Sequence, residues 1–317
     1  MRYFDAAAIC ERLPWPRMLA ALEAMLTENV AAPLRAHHEI DVAGAAAAAL
    51  LLMPAWRTGR RIGVKLVTVF PGNRERGERA VNAVYALFDA TNGVPLALLD
   101  GDEITARRTA GASAYAARFL ARRDAAHLVM VGAGRQARGL VDAHCHVRPI
   151  TRVSLWSRTP GHADAAAGAM REHGLPVAAV ADLEAAVRAA DVVCCATLAT
   201  TPLVRGEWLR PGVHLDLVGA FRPQMRETDD AAVARADVIV VDDRAASLAE
   251  GGDLVQALAS GAITPARIVA ELRDFARGIH PGRTRDDEIT VFKSVGFALE
   301  DLAAAEAVVD SSVDASR

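Results

Sequence analysis

The chain has 317 residues, of which 52% are hydrophobic, 24% charged and 5% aromatic. At about 100–200 residues per domain, that length predicts two domains with enough chain to bury a real core. Basic and acidic residues nearly balance, 36 against 39 for a net charge of −3, which excludes a polybasic nucleic-acid binder or an acidic tail protein as the starting point. Lys65 and Lys293 are the only lysines. The remaining basic residues are arginine, a compositional bias that makes the two lysines stand out. Cys10, Cys145, Cys194 and Cys195 form no CxxC pair, which fits a reducing compartment better than a disulfide framework. No signal peptide is expected from the opening residues, and the longest apolar run, Val42 to Pro54, is too short to span a bilayer. A soluble, cytoplasmic protein is therefore expected, with neither nucleic acid nor membrane as partner.

Leu13 to Val30 carries apolar residues at helical spacing. After Pro33, apolar stretches at 47–54, 62–70, 81–89 and 94–100 alternate with turn-forming segments, which predicts strands. Thr91-Asn92-Gly93 between two of them is a hairpin signal, so this sheet is expected to be antiparallel. Residues 103–123 are alanine-rich and read as a helix, with Asp102 available as its cap. From Ala125 onward the rhythm changes. Strand-like runs at 127–132, 152–157, 176–180, 191–197, 214–220 and 237–242 are separated mostly by helical stretches. That alternation predicts βαβ units: an α/β domain with a doubly wound parallel sheet. A last apolar helix is read over Phe292 to Val309.

The sharpest motif is Val131-Gly132-Ala133-Gly134-Arg135-Gln136-Ala137, which follows a predicted strand and opens a predicted helix. In a GxGxxA fingerprint the first glycine permits a tight turn and the second lets backbone approach a pyrophosphate. The alanine allows close helix–sheet packing, and the helix N-terminus faces the anion. Readers of NAD place a carboxylate at the end of the second strand. Here that strand ends in Ser157-Arg158-Thr159, where Arg158 is either the partner of a 2′-phosphate, favouring NADPH over NADH, or an ordinary surface arginine.

In the first domain, Lys65 shares a strand face with Gly63, Val67 and Val69. A lysine there is either paired and lowered in pKa by burial or snorkels at a sheet edge. Arg35, Arg107 and Arg108 offer forks for a carboxylate. Arg222, just beyond a strand end of the α/β domain, stands where open sheets bind ligands. His144-Cys145-His146 and His37-His38 have no second ligand cluster at metal spacing, and no metal is expected.

These segments together resemble the ornithine cyclodeaminase/mu-crystallin family along nearly the whole chain. The resemblance rests on Gly63 to Val69 with Pro71-Gly72-Asn73, on Leu87-Phe88-Asp89-Ala90, and on Ile104-Thr105-Ala106-Arg107-Arg108-Thr109-Ala110. It continues through the fingerprint, Val218-Gly219-Ala220 with Arg222-Pro223, Gly251-Gly252-Asp253-Leu254, and Thr290 to Gly296. It implies a homodimer with a Rossmann-type domain over 123–292 and a second, α+β domain for substrate binding and dimerisation, built from 1–122 with 293–317. It further implies that Arg35, Lys65 and Arg108 hold a substrate carboxylate beside the nicotinamide, with Lys65 and Arg108 catalytic. Arg108, Thr109, Gly132, Gly134, Arg135, Gln136, Ala137, Ser157, Arg158, Thr159, Thr197, Leu198 and Ser294 then line NADPH, the preferred cofactor, or NADH. Where cyclodeaminases carry an aspartate this chain has Phe221, so the block is closer to the ketimine-reductase branch, in which Arg222 and Glu250 approach the ligand. The implied reaction is reduction of a cyclic ketimine carboxylate, Δ1-pyrroline-2-carboxylate or Δ1-piperideine-2-carboxylate, to a cyclic amino acid. The alternatives are ornithine cyclodeamination, alanine dehydrogenation, and non-catalytic NADPH-dependent ligand binding of the mu-crystallin type.

Overall fold

The computed structural model describes residues 1–314. By contacts the chain forms two units, Met1–Arg108 with Phe297 onward, and Thr109–Gly296. The sequence reading drew its boundaries at 122/123 and 292/293. The contact boundary falls instead within a helix and after a strand, and residues 315–317 of the expected first domain lie outside the described residues.

The first unit opens with β1 (Arg2–Phe4), α1 (Ala6–Arg12) and α2 (Trp15–Thr27), followed by β2 (Ala36–Ile40), β3 (Ala48–Arg57), β4 (Arg61–Val69), β5 (Val81–Asp89) and β6 (Pro95–Asp100). The sheet order is β1-β6-β5-β4-β3-β2. All its pairings are antiparallel except β1 with β6. The β5–β6 hairpin turns where expected. Asp89 accepts hydrogen bonds from the Thr91 amide and hydroxyl, and Gly93 takes φ +74°, a conformation open to glycine at no steric cost. The returning C-terminal helix packs on α2, β3 and β4.

Two local expectations are corrected. The helix after β6, α3 (Gly101–Leu120), begins earlier than its pattern suggested, and Asp100 rather than Asp102 caps it, accepting from the amides of Asp102 and Glu103 at 3.0 and 2.8 Å. Gly101 makes this early start possible, because a Cβ there would lie 2.6 Å from the backbone of β5. The apolar run from Phe292 is not one helix. It divides into β14 (Thr290–Lys293) and α11 (Ala298–Asp314). A short strand buried on both faces has the same apolar signature as a buried helix turn, so periodicity does not separate them.

The second unit runs β7 (His127–Val131), α4 (Arg135–Val147), β8 (Arg152–Trp156), α5 (Pro160–Glu172), β9 (Val177–Ala179), α6 (Leu183–Arg188), β10 (Val192–Cys195), β11 (His214–Leu217), α7 (Asp230–Ala234), β12 (Val238–Val241), α8 (Arg244–Glu250), α9 (Gly252–Ala259), β13 (Ile268–Glu271) and α10 (Leu272–Ala276) before β14. Its eight strands are all parallel, in the order β13-β12-β14-β11-β10-β7-β8-β9. The side chains of β7, β10, β11, β12 and β14 are all buried, as strands covered on both faces require, while β8, β9 and β13 have exposed positions. The order reverses at β7, whose neighbours are β8 and β10. That is the switch point where open α/β sheets bind ligands, at the carboxyl ends of the strands.

Candidate active site

In the first unit, one row across the sheet carries Met53, Lys65, Tyr85 and Leu99 on adjacent strands. All four are buried, and Lys65 is only 1% exposed. The edge-snorkelling alternative is thereby excluded: the ammonium is held inside by an acid from the other end of the chain. Lys65 Nζ lies 2.8 Å from both carboxylate oxygens of Asp301, in the first turn of α11. Arg108, on α3, bridges the same acid and its neighbour, with Nε 3.1 Å from Asp301 Oδ1 and Nη1 2.7 Å from Glu300 Oε2. The positive end of the α11 dipole also favours carboxylates there.

Burial and the Arg108 guanidinium pull the Lys65 pKa down to about 8 against the opposing pull of Asp301. Arg35, half-buried ahead of β2, adds a smaller push in the same direction. The three cations singled out from sequence therefore act on one another around two buried carboxylates. Removing one partner of such a buried pair costs about 3–5 kcal/mol, because it strands the other charge. Beside them the Tyr85 hydroxyl is buried with no hydrogen-bond partner among the described residues, and burial together with Asp301 raises its pKa. Gly63 makes room for it, since a Cβ there would meet the Tyr85 oxygen at 1.9 Å. Arg107 stands apart, paired with Glu103 and lying over the Trp15 ring.

In the second unit the fingerprint sits between β7 and α4. Gly132 takes φ +113°, and a Cβ there would lie 2.7 Å from the Ala196 carbonyl, so both conformation and space demand glycine. Gly134 is the α4 cap residue and offers no side chain to its first N–H groups, with open space where a Cβ would stand. Gln136 Oε1 is buried with no hydrogen-bond partner among the described residues, and Ala137 is buried against the sheet. Uncapped amides, an open approach and an orphaned polar atom fit a dinucleotide phosphate. Arg135 is exposed beside them. Ser157, Arg158 and Thr159 follow β8 at its carboxyl end. Arg158 is exposed and has no ion-pair partner among the described residues. Thr197 and the exposed Leu198 follow β10, Phe221 and the exposed Arg222 follow β11, and buried Ser294 follows β14, donating its amide to the Leu217 carbonyl. Glu250 closes α8, and Thr109 is buried within α3.

Beneath these loops lies a charge network that sequence reasoning missed. Thr197 donates both its amide and hydroxyl to Glu227, at 2.6 and 2.8 Å. Asp253 accepts from the amides of Glu227 and Thr228. Fully buried Lys293 has Nζ 3.3 Å from Asp253 Oδ2 and donates to the Gly219 carbonyl. Burial and neighbouring Asp253 push Glu227 up to about 7. The adjoining Ala220 holds φ +50°, a left-handed conformation uncommon outside glycine and a form of strain that clusters at functional sites. The sequence signal for Lys293 was its rarity. Glu300 and Asp301 gave no signal beyond being acids within an apolar run. Elsewhere in this unit, His144 Nε2 lies 3.0 Å from Asp216, which also accepts from Cys194 and Ser113. Of the His144-Cys145-His146 run, only His144 joins that buried group.

The model of the ornithine cyclodeaminase/mu-crystallin family matches residues 9–316. A Δ1-pyrroline-2-carboxylate reductase of Paracoccus denitrificans is 44% identical over 249 residues, 78% of each chain. One from Bacillus cereus is 40% identical over 266 residues, covering 83% of this chain and 82% of its own. Among solved structures, Thermococcus litoralis Δ1-pyrroline-2-carboxylate reductase in complex with NADH and L-proline is similar with a TM-score of 0.92 and 31% identity, covering all of this chain and 98% of the other. Motif order, fold and these likenesses agree, and the chain belongs to the ornithine cyclodeaminase/mu-crystallin family.

Proposed function

We propose that the protein reduces a small cyclic ketimine carboxylate, Δ1-pyrroline-2-carboxylate or its six-membered homologue, to L-proline or L-pipecolate with NADPH or NADH. The observation that carries this reading is the buried Lys65–Arg108 pair on Asp301 and Glu300. The reductases named above, alike in sequence and fold, support it. The protein is thus an oxidoreductase acting on a C=N bond.

Arg108 and Arg35 bind the substrate carboxylate, Arg108 through the bidentate geometry a guanidinium offers. Lys65 hydrogen-bonds the substrate and holds the proton that makes the imine carbon electrophilic. Held at about 8, its pKa keeps that proton available near neutrality. Asp301 fixes the Lys65 and Arg108 side chains, so much of the barrier is met by positioning. Phe221 presents a ring where a cyclodeaminase needs a carboxylate for a free amino group, and Arg222 and Glu250 are assigned to the same substrate. When bound, the reduced nicotinamide supplies the hydride. Gly132, Gly134, Arg135, Gln136 and Ala137 cradle its pyrophosphate. Ser157, Arg158 and Thr159 meet the adenosine ribose, Arg158 favouring NADPH. Thr197, Leu198 and Ser294, with Arg108 and Thr109, complete the cofactor contacts.

We assign the homodimer contact to the open face of the first sheet. Antiparallel sheets with one solvated face ordinarily make it polar. Here it carries Leu52, Trp56, Leu66, Val84 and Phe88, with Trp56, Leu66 and Val84 each more than a third exposed. A patch of that kind calls for a partner, and a second copy of this sheet supplies the same apolar chemistry. Four free cysteines are in keeping with a cytoplasmic setting. No helix of the described residues is long and apolar enough to cross a membrane.

The test is loss of reduced-nicotinamide absorbance with each freshly generated imine, run beside L-ornithine with NAD+ and pyruvate with ammonia. Imine-dependent oxidation with either ring is expected. Ammonia from ornithine with neither imine turned over would replace the reading by cyclodeamination. Saturable ligand binding without any turnover would make the protein a binder.

A further inference from the structure

We propose that the second unit carries a second anion site, at the amino-terminal edge of its parallel sheet, for a small molecule bearing at least two phosphate or carboxylate charges. A cavity of about 770 Å³ opens there, lined by Arg118, Arg122, Arg123, Arg148, Arg283 and Arg285 with only Asp124 and Asp286 against them. That volume is typical of small-molecule sites. The lining segments lie at the end of α3, at the end of α4 and in the stretches leading into β7 and β14, whereas the fingerprint follows β7. The five residues of β7, at about 3.3 Å each, separate the two places by roughly 16 Å.

The cavity is built, and two of its arginines, Arg148 and Arg283, keep their charge without an ion pair among the described residues. Every hydrogen bond of the Arg148 guanidinium ends on a backbone carbonyl, including those of Ala117, Arg118 and Ala121 at 2.7, 2.7 and 2.9 Å. Arg283 reaches the carbonyls of Leu120 and Glu288 at 2.7 and 2.5 Å, with weaker bonds to Thr290 and other backbone oxygens. Carbonyls hold these forks rigidly and leave their formal charge in place. Arg123 is exposed and has no ion-pair partner among the described residues. Arg122 and Arg285 pair with acids, Arg122 with Asp124 and Asp191, Arg285 with Asp237, Asp287 and Glu288. Burial lowers the Arg148 pKa, and Arg123, Arg118 and Arg283 lower it further by repulsion.

A second cavity, in the first unit, is balanced in its lining, with Arg57, Arg60 and Arg61 against Asp89, Glu306 and Asp310. Its Arg57 pairs with Glu28 and Glu306, and its Arg61 with Asp310, all within the protein. Capping of the α3 carboxyl end accounts for Arg148 and Arg283, but not for the further arginines gathered round them in a chain of net charge −3. Like charges crowded in a concave wall favour an anion with several charges over chloride.

The test titrates the full-length protein, saturated with NADH so that the fingerprint is occupied, with inorganic pyrophosphate and separately with citrate, by calorimetry at low salt. One site with a Kd below about 1 mM for either probe is expected, weakening as salt rises. The double variant R118E/R123E is expected to bind at least tenfold more weakly while keeping its melting temperature and imine turnover. Should that variant lose its fold, R118Q/R123Q serves in its place, with at least a threefold loss expected. Pyrophosphate preference identifies a phosphorylated ligand, and citrate preference a polycarboxylate. Failure of both probes to bind the wild type, or equal binding by a folded variant, overturns the proposal.

Discussion

The cluster around Lys65 and the loop after β7 solve opposite binding problems. In the first, charge is concentrated in side chains. Lys65 and Arg108 are buried, each would be costly alone, and each is tolerated because α11 brings Asp301 and Glu300 against them. In the second there is almost no charge. Gly132 and Gly134 have no side chain, which leaves backbone N–H groups and a helix end to meet the proposed phosphate. On the proposed reading the first arrangement binds a carboxylate and tunes a proton. On the same reading the second meets only the phosphate. A reductase needs both, and the contrast states where each kind of damage should appear.

The largest effect is expected from Lys65→Met, which keeps the bulk of the side chain and removes its proton. We expect kcat/KM for the imine to fall by about 10²–10⁴ with NADH affinity changed less than about twofold. Equal loss of both would mean that the two regions do not divide the work. The converse lesion is Gly132→Ala, which forces a side chain into φ +113° and against the Ala196 carbonyl. Strain of about 1–3 kcal/mol is expected to weaken NADH binding by roughly ten- to a hundredfold. Proline binding, followed by calorimetry, should survive, and an unchanged NADH Kd would remove the glycine argument.

A third effect is in pH. Lys65 at about 8 lies below the 10.5 of an exposed lysine, so above pH 8 the proton is progressively lost and kcat/KM should fall about tenfold per unit. Lys65→Met should lack that limb. For stability the sign is opposite: between 8 and 10.5 the unfolded chain binds the proton more tightly, so this group's contribution rises with pH across that window and is flat below it. A smaller effect belongs to Arg158→Ser. Loss of a charge-assisted contact of about 1.5 kcal/mol predicts a fall of roughly tenfold in kcat/KM with NADPH and little change with NADH. Parallel loss with both cofactors would remove Arg158 from the 2′-phosphate.

The same contrast explains what the sequence could announce. The Gly132–Ala137 stretch is contiguous, so strand, turn and helix could be read together from it. Lys65 was legible as an anomaly on an apolar strand face, and its resolution was not, because Asp301 lies 236 positions away. The association of Asp253, Glu227 and Lys293 was hidden for the same reason: each lies in a separate segment, and only the fold brings them together. Phe292 was misread because a four-residue strand buried on both faces leaves no period to detect.

The most direct measurement follows the atoms. The protein would be turned over on Δ1-pyrroline-2-carboxylate with NADPH or NADH deuterated at the transferable C4 position, and the product analysed by mass spectrometry and NMR. The account predicts L-proline carrying one deuterium at C2, with no ammonia released. Unlabelled proline, or ammonia formed from ornithine while the imine is left untouched, would contradict it.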